Sequence, residues 1–255
     1  MNRSRFGLLG LFAIVFGLMA FGPAAAHAEE GSQWLLAEGV EHANGDVLVV
    51  KLIPFLEATI QLEAETTGVL HSKIAGVTVL FECSALEAEN AKLLANGSVG
   101  KAGGEVKGSK VKFSGCITKL NGATSAACEP NANGTAPGVI LTNEGHALIE
   151  LHELAGGVKD ELVRILPDTP ETFAVIEMGE ECSIGEKVPV IGHATLKDCE
   201  NAFLVHKKIH LVEIGPLTAL WTISKTTEHV ATILGSSFVE VIQGGASRSF
   251  AGHAN

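Results

Sequence analysis

Alternation of apolar and polar residues with a period of two dominates the chain. The clearest instance is Lys110-Val111-Lys112-Phe113-Ser114, within residues 106–116, which sends Val111 and Phe113 to one face and the lysines to water. Upstream, Gly76-Val77-Thr78-Val79-Leu80-Phe81-Glu82-Cys83 has the β-branched and aromatic residues that suit a pleated, half-buried surface. Asn121-Gly122 then supplies a pair that tolerates positive φ at both central positions of a type I′ turn. Strand, turn and cysteine signals are densest from Gly76 to Cys128, so a hairpin with cysteines on both arms is expected there.

Similar signals recur along the chain. Trp34-Leu35-Leu36 reads as a short first strand, residues 47–55 as a buried strand broken at Pro54, and 58–66 as a half-exposed strand with Ile60, Leu62 and Ala64 on one face. Further strands are predicted over 139–142, 146–154, 172–178, 188–196, 203–214, 217–224, 230–234 and 238–243. Residues 84–96 are ambiguous: Ser84 and Glu87 have capping-box spacing and Asn96-Gly97 would close a helix, but an irregular strand is preferred. Asn44-Gly45-Asp46 predicts a turn, and 100–110 and 121–137 are rich in loop residues. Asn96-Gly97-Ser98 and Asn133-Gly134-Thr135 match the glycosylation acceptor pattern, and are read as polar turns. Many short strands between turns predict an all-β protein, an antiparallel sandwich or barrel. Pro167-Asp168-Thr169-Pro170 is the best hinge, dividing a β-rich lobe of 29–166 from a second of 167–255, with one continuous domain as the alternative.

The first 28 residues change the picture. Arg3 and Arg5, an apolar run over 6–21 and Ala26-His27-Ala28 form a secretory signal peptide, so the mature chain is expected outside the cell or at its envelope. The run is too short for a membrane span, and no later segment is long and apolar enough. Without Arg3 and Arg5, 16 basic residues stand against 29 acidic ones, a charge of about −13 that makes nucleic acid a poor partner. No tyrosine and only two tryptophans leave few platforms for stacking on bases or sugars. The sequence names no partner, and cell-envelope components are the candidates.

All five cysteines lie in the exported part, where disulfides form and persist. The preferred pairing is short-range, Cys116 with Cys128 and Cys182 with Cys199, leaving Cys83 as a buried thiol; closing the dozen residues of the first would contribute ~3 kcal/mol. The rival pairs Cys83 with Cys116, from a faint echo between residues 83–116 and 182–199.

Val111-Lys112-Phe113-Ser114-Gly115-Cys116, Ala127-Cys128-Glu129-Pro130, His146-Ala147-Leu148-Ile149, Glu181-Cys182-Ser183, Leu196-Lys197-Asp198-Cys199, Gly215-Pro216-Leu217-Thr218 and Ser249-Phe250-Ala251-Gly252-His253 together resemble a group of exported, cysteine-containing β-rich proteins of soil actinobacteria. The resemblance spans most of the mature chain and brings no activity, cofactor or catalytic residue with it.

Histidine spacing offers the main chemical candidates. In a strand, His146, Glu150 and His152 share one face, and His206 and His210 share another. Imidazole and carboxylate suit zinc, but the His-Glu-x-x-His pattern is absent, so a solvated polar face is preferred and no metal or other cofactor is expected. No Gly-x-Ser-x-Gly elbow or phosphate-binding glycine motif is present. Glu180 and Glu181, adjacent in a strand, would point to opposite faces, away from any shared bond. The favoured function is a non-enzymatic extracellular or envelope-associated structural or binding module. The runner-up is a secreted hydrolase with a site assembled from distant residues. A cleft gathering His146 or His152 with carboxylates at hydrogen-bond distance favours the enzyme, and histidines dispersed over an open sheet favour the module.

Overall fold

The computed structural model describes residues 33–41, 47–95, 104–134, 136–153, 159–169, 172–197, 203–204, 206–211, 219–224 and 227–253. The expected signal peptide, the Asn44-Gly45-Asp46 turn, the first glycosylation pattern, Thr135 of the second, Cys199 and residues 212–218 lie outside them.

The described chain is all-β. In order, the strands are β1 Gln33–Glu41, β2 Val47–Ile53, β3 Glu57–Ala64, β4 Gly68–Ile74, β5 Val77–Glu89, β6 Lys92–Leu94, β7 Glu105–Leu120, β8 Ala123–Thr124, β9 Asn131–Ala132, β10 Ala136–Pro137, β11 Ile140–Leu141, β12 Gly145–Glu153, β13 Lys159–Pro167, β14 Thr172–Glu177, β15 Lys187–Lys197, β16 His206–Leu211, β17 Ala219–Ser224, β18 Thr227–Leu234, β19 Ser236–Gln243 and β20 Ala246–His253. Among the described residues a single 3-10 turn, Ala126–Cys128, follows β8. Residues 84–89 continue β5 as strand rather than forming a helix. Burial alternates in β3 and β5, whereas residues 110–114 of β7, where the sequence pattern is clearest, are all half-buried. In β3, Ala58 and Ile60 are buried and Glu57, Thr59 and Gln61 exposed, and in β5 Val79, Phe81 and Cys83 go inward. Asn121 and Gly122, at φ +48° and +87°, join Leu120 of β7 to Ala123 of β8 in the tight turn expected of them.

Two closed rings of eight antiparallel strands, sharing two of them, follow from the pairing. Ring one runs β3-β6-β7-β12-β13-β15-β16-β19 and back to β3. Ring two runs β4-β5-β7-β11-β14-β15-β17-β18 and back to β4, with β11 joined to β14 through the Thr142–Ala174 bridge. The first turns of β7 toward Ser109 belong to ring one and its remainder to ring two, and β15 changes ring at Gly192-His193. Closure leaves neither ring an unpaired edge, which removes the liability of open sheets. Each ring draws strands from both sides of Pro167-Asp168-Thr169, so the ladders run across that segment. β20 and β1 add to ring one through β19 and carry Trp34, Leu36 and Phe250 into its core.

The disulfides require a correction. Cys83 is not a free thiol: it is bonded to Cys116, and Cys128 is bonded to Cys182, so neither short-range pairing forms. Cys83 and Cys116 stand directly opposite in the β5–β7 ladder, and the Cys116 N–H donates to the Gly138 carbonyl instead of across to Cys83. That makes them a non-hydrogen-bonded pair, where antiparallel Cα atoms approach most closely, here 4.0 Å. β8 is only two residues long, so the chain leaves the hairpin before Cys128. The Thr118 hydroxyl donates to the Cys128 carbonyl at 2.5 Å, and the Cys128 sulfur meets Cys182 at the end of the turn at 179–182.

Candidate functional site

The interior of each ring holds a cavity. The ring-one cavity, about 110 Å³, is lined by residues from all eight of its strands, including Ile60, Leu93, Val106, Ala147, Val163 and Val241. The ring-two cavity, about 140 Å³, is lined from all eight of its own, including Phe81, Phe113, Ile176, Val190, Leu220 and Ile233. Leu62, Val111, Thr142, Ile165, Phe173, Leu196 and Ile209 line both, so a single layer of side chains, apolar but for Thr142, stands between them. Alternation and ring closure together build this surface, because the inward positions of strands in a closed ring have nowhere else to point. Each cavity is close in size to the ~150 Å³ apolar space that takes up benzene in an engineered protein.

A few polar groups stand at the margins. Trp34 lines the ring-one cavity, is 5% exposed, and its indole Nε1 has no acceptor among the described residues. Its ring lies 6.2 Å from that of Phe250, over which the Lys207 ammonium sits at 5.2 Å. Lys207 is buried on the same strand face as Ile209. On the ring-two side, Thr66 and Ser236 line the cavity; the Ser236 N–H donates to Thr66 Oγ1 at 2.9 Å and its hydroxyl to Glu65 Oε2 at 2.6 Å.

The sequence candidates are placed as follows. His146 opens β12, lines the ring-one cavity and donates from Nδ1 to Asp168 Oδ1 at 2.5 Å; its side chain is 22% exposed. Ser109, opposite the neighbouring Gly145, lines the same cavity. Glu150 turns to Arg164 across β12–β13 at 2.9 Å, so His146 and Glu150 have separate partners and are half-buried, not solvated. The backbone of His152 lies opposite Asp160, that of His206 opposite Glu240 and that of His210 opposite Ser236, and their side chains are outside the description. Among the described residues no group of three His, Cys, Asp or Glu side chains converges in the manner of a metal cage. Glu180 and Glu181 are exposed on the turn after β14.

Cross-strand ion pairs lie on the outside. The hydrogen bond from Lys187 holds the Glu177 carboxyl below the usual carboxylate range and raises the Lys187 ammonium above its own, at a Nζ to Oε1 distance of 2.6 Å. The hydrogen bond from Lys92 similarly lowers Glu57. Strand alternation on its own did not single out Trp34 or the shared wall of Leu62, Ile165 and Leu196 as a site; each reads as an ordinary core residue, and it is ring closure that sets them around a common space. No protein-family model, curated protein or solved structure matches the chain.

Proposed function

We propose that this chain is a non-enzymatic binding protein of the extracellular space or cell envelope, and that its ligand is apolar and occupies the paired ring interiors. The adjoining cavities carry the reading, since concave, mainly apolar spaces with a few polar groups are where small ligands bind. The acidic composition and the disulfide-joined cysteines agree with an exported protein. The test is uptake of toluene, an apolar molecule of the cavities' size, read as a rise in the unfolding temperature. A rise that saturates with toluene concentration, and is weakened when Phe173→Trp fills the shared wall, supports the reading; no rise at saturating toluene removes it.

A second reading has one observation in its favour. His146 on Asp168 at the margin of the cavity, with Ser109 on the adjoining strand, has one of the contacts of a hydrolytic site, that between a base and its orienting carboxylate. Among the described residues the His146 ring bonds no hydroxyl, and this keeps hydrolysis second. Turnover of p-nitrophenyl butyrate that disappears in His146→Ala would promote it, and no turnover above buffer would retire it.

A further inference from the structure

We propose that the ring-two cavity is a binding site for one neutral monocyclic phenol, held through the Ser237 hydroxyl. This rests on the apolar-binding reading above and specifies its ligand as a single aromatic ring with one polar atom.

Ser237 supplies the decisive observation. It stands on the inward row of β19 with Val239 and Val241, opposite Ala64 on β3 and Ile209 on β16, and it lines the ring-two cavity while only 7% exposed. Among the described residues nothing hydrogen-bonds its Oγ, and yet that oxygen is not one of the buried polar atoms sealed from all space. The small surface that Ser237 keeps therefore includes its oxygen, on the side of the cavity. The other hydroxyls of the lining are committed. Thr66 Oγ1 and Thr142 Oγ1 accept from the N–H groups of Ser236 and Val111, at 2.9 and 2.8 Å, and the Ser236 hydroxyl donates to Glu65. A buried hydroxyl left without a partner is unfavourable, and because it both donates and accepts it is best answered by a ligand hydroxyl, which does the same.

The rest of the cavity limits what carries that ligand hydroxyl. None of the described residues lining it is charged, so an ionised ligand would be buried without a counter-charge. At about 140 Å³ it takes a benzene-sized body, whereas a fused ring system or a long chain exceeds it. Phe81, Phe113 and Phe173 stand in its wall, and their ring faces and edges favour an aromatic body over an alkyl one of the same size. A single uncommitted hydroxyl would leave most of a sugar's own hydroxyls unmatched, which excludes polyols.

The test compares phenol with toluene on the folded, disulfide-bonded protein by calorimetric titration, with NMR contacts read from the bound ring to side-chain methyl groups. Phenol should saturate with an affinity within about tenfold of toluene's, because the Ser237 hydrogen bond offsets the loss of its hydration. Its ring should contact Ile176 and Ile233, which line only the ring-two cavity, and not Val163 and Val241, which line only the other. Ser237→Ala should weaken phenol about tenfold and change toluene by less than about twofold. Should that variant bind neither ligand because it fails to fold, Ser237→Cys, which keeps the shape and weakens the hydrogen bond, is read in the same way. Contacts to Val163 and Val241 instead, or phenol affinity unchanged by the substitution, overturn the proposal. Binding of toluene without phenol overturns the phenol while the apolar-binding reading stands; binding of neither overturns both.

Discussion

At Gly192 the backbone has φ +104°, and a Cβ there would stand 1.9 Å from the Ala219 carbonyl oxygen on β17, with Trp221 packed at 3.2 Å. This is where β15 leaves ring two for ring one, so the close approach occurs at the crossing between the rings. Gly192→Ala is expected to lower stability by more than ~3 kcal/mol in urea unfolding, from strain and clash together. Gly244→Ala, at φ +61° with open space around it, should cost only ~1 kcal/mol. The Asn121-Gly122 turn was readable because its constraint lies within four residues; Gly192 was not, because the atom that forbids a side chain belongs to a strand far along the sequence. The Glu177–Lys187 pair, directly opposed on β14 and β15, makes a pH prediction. With Glu177 held below its usual range, its contribution is present at neutral pH and fades as pH falls through the glutamate range. With Lys187 raised, its share is complete below the ordinary lysine range and is lost only above it. Lys187→Met should therefore flatten the acid limb of a stability–pH curve slightly, the effect kept small by exposure to solvent.

Strands with alternating burial, β3 and β5 among them, could be read directly, and so could β7, β12, β15 and β19. β4, β13 and β20 were passed over for physical reasons. In β4 an inward position is Ser72, made tolerable by a 2.6 Å hydrogen bond to Thr222 Oγ1, and that serine breaks the apolar rhythm. In β20, Ser249 is buried alongside Phe250 and Ala251, leaving no period of two to find. Of the two pairings weighed, the preferred short-range one does not form and the rival Cys83–Cys116 does, while Cys128–Cys182 was not foreseen; connectivity depends on which strands adjoin, and the opposition of Cys83 and Cys116 is fixed only once β5 lies on β7. The two bridges close spans of 33 and 54 residues, for which chain entropy gives about 4 kcal/mol each. Replacing Cys128 and Cys182 together by alanine should lower stability by about that amount. Iodoacetamide applied without reductant should leave Cys83, Cys116, Cys128 and Cys182 unlabelled, and tagging of Cys83 would contradict the pairing.

Across the molecule, an acidic chain folds into two rings whose cores are mainly apolar, with Glu105 and Lys207 as buried charged residues among those described. All-β architecture could be inferred from the sequence because it needs only the period of the pattern. Two interlocked rings could not, because closure depends on β7 and β15 being long enough, at 16 and 11 residues, to serve both. The candidate site was hidden for the same reason, its walls being supplied by strands from both halves of the chain. Everything proposed about a common interior depends on this sharing. Hydrogen exchange resolved along β7 measures it most directly: residues 105–109, in ring one, and 110–120, in ring two, should open together with one common free energy. Ring-one amides of β7 exchanging orders of magnitude faster than ring-two amides of the same strand would mean that the rings are separate units, and would contradict the account.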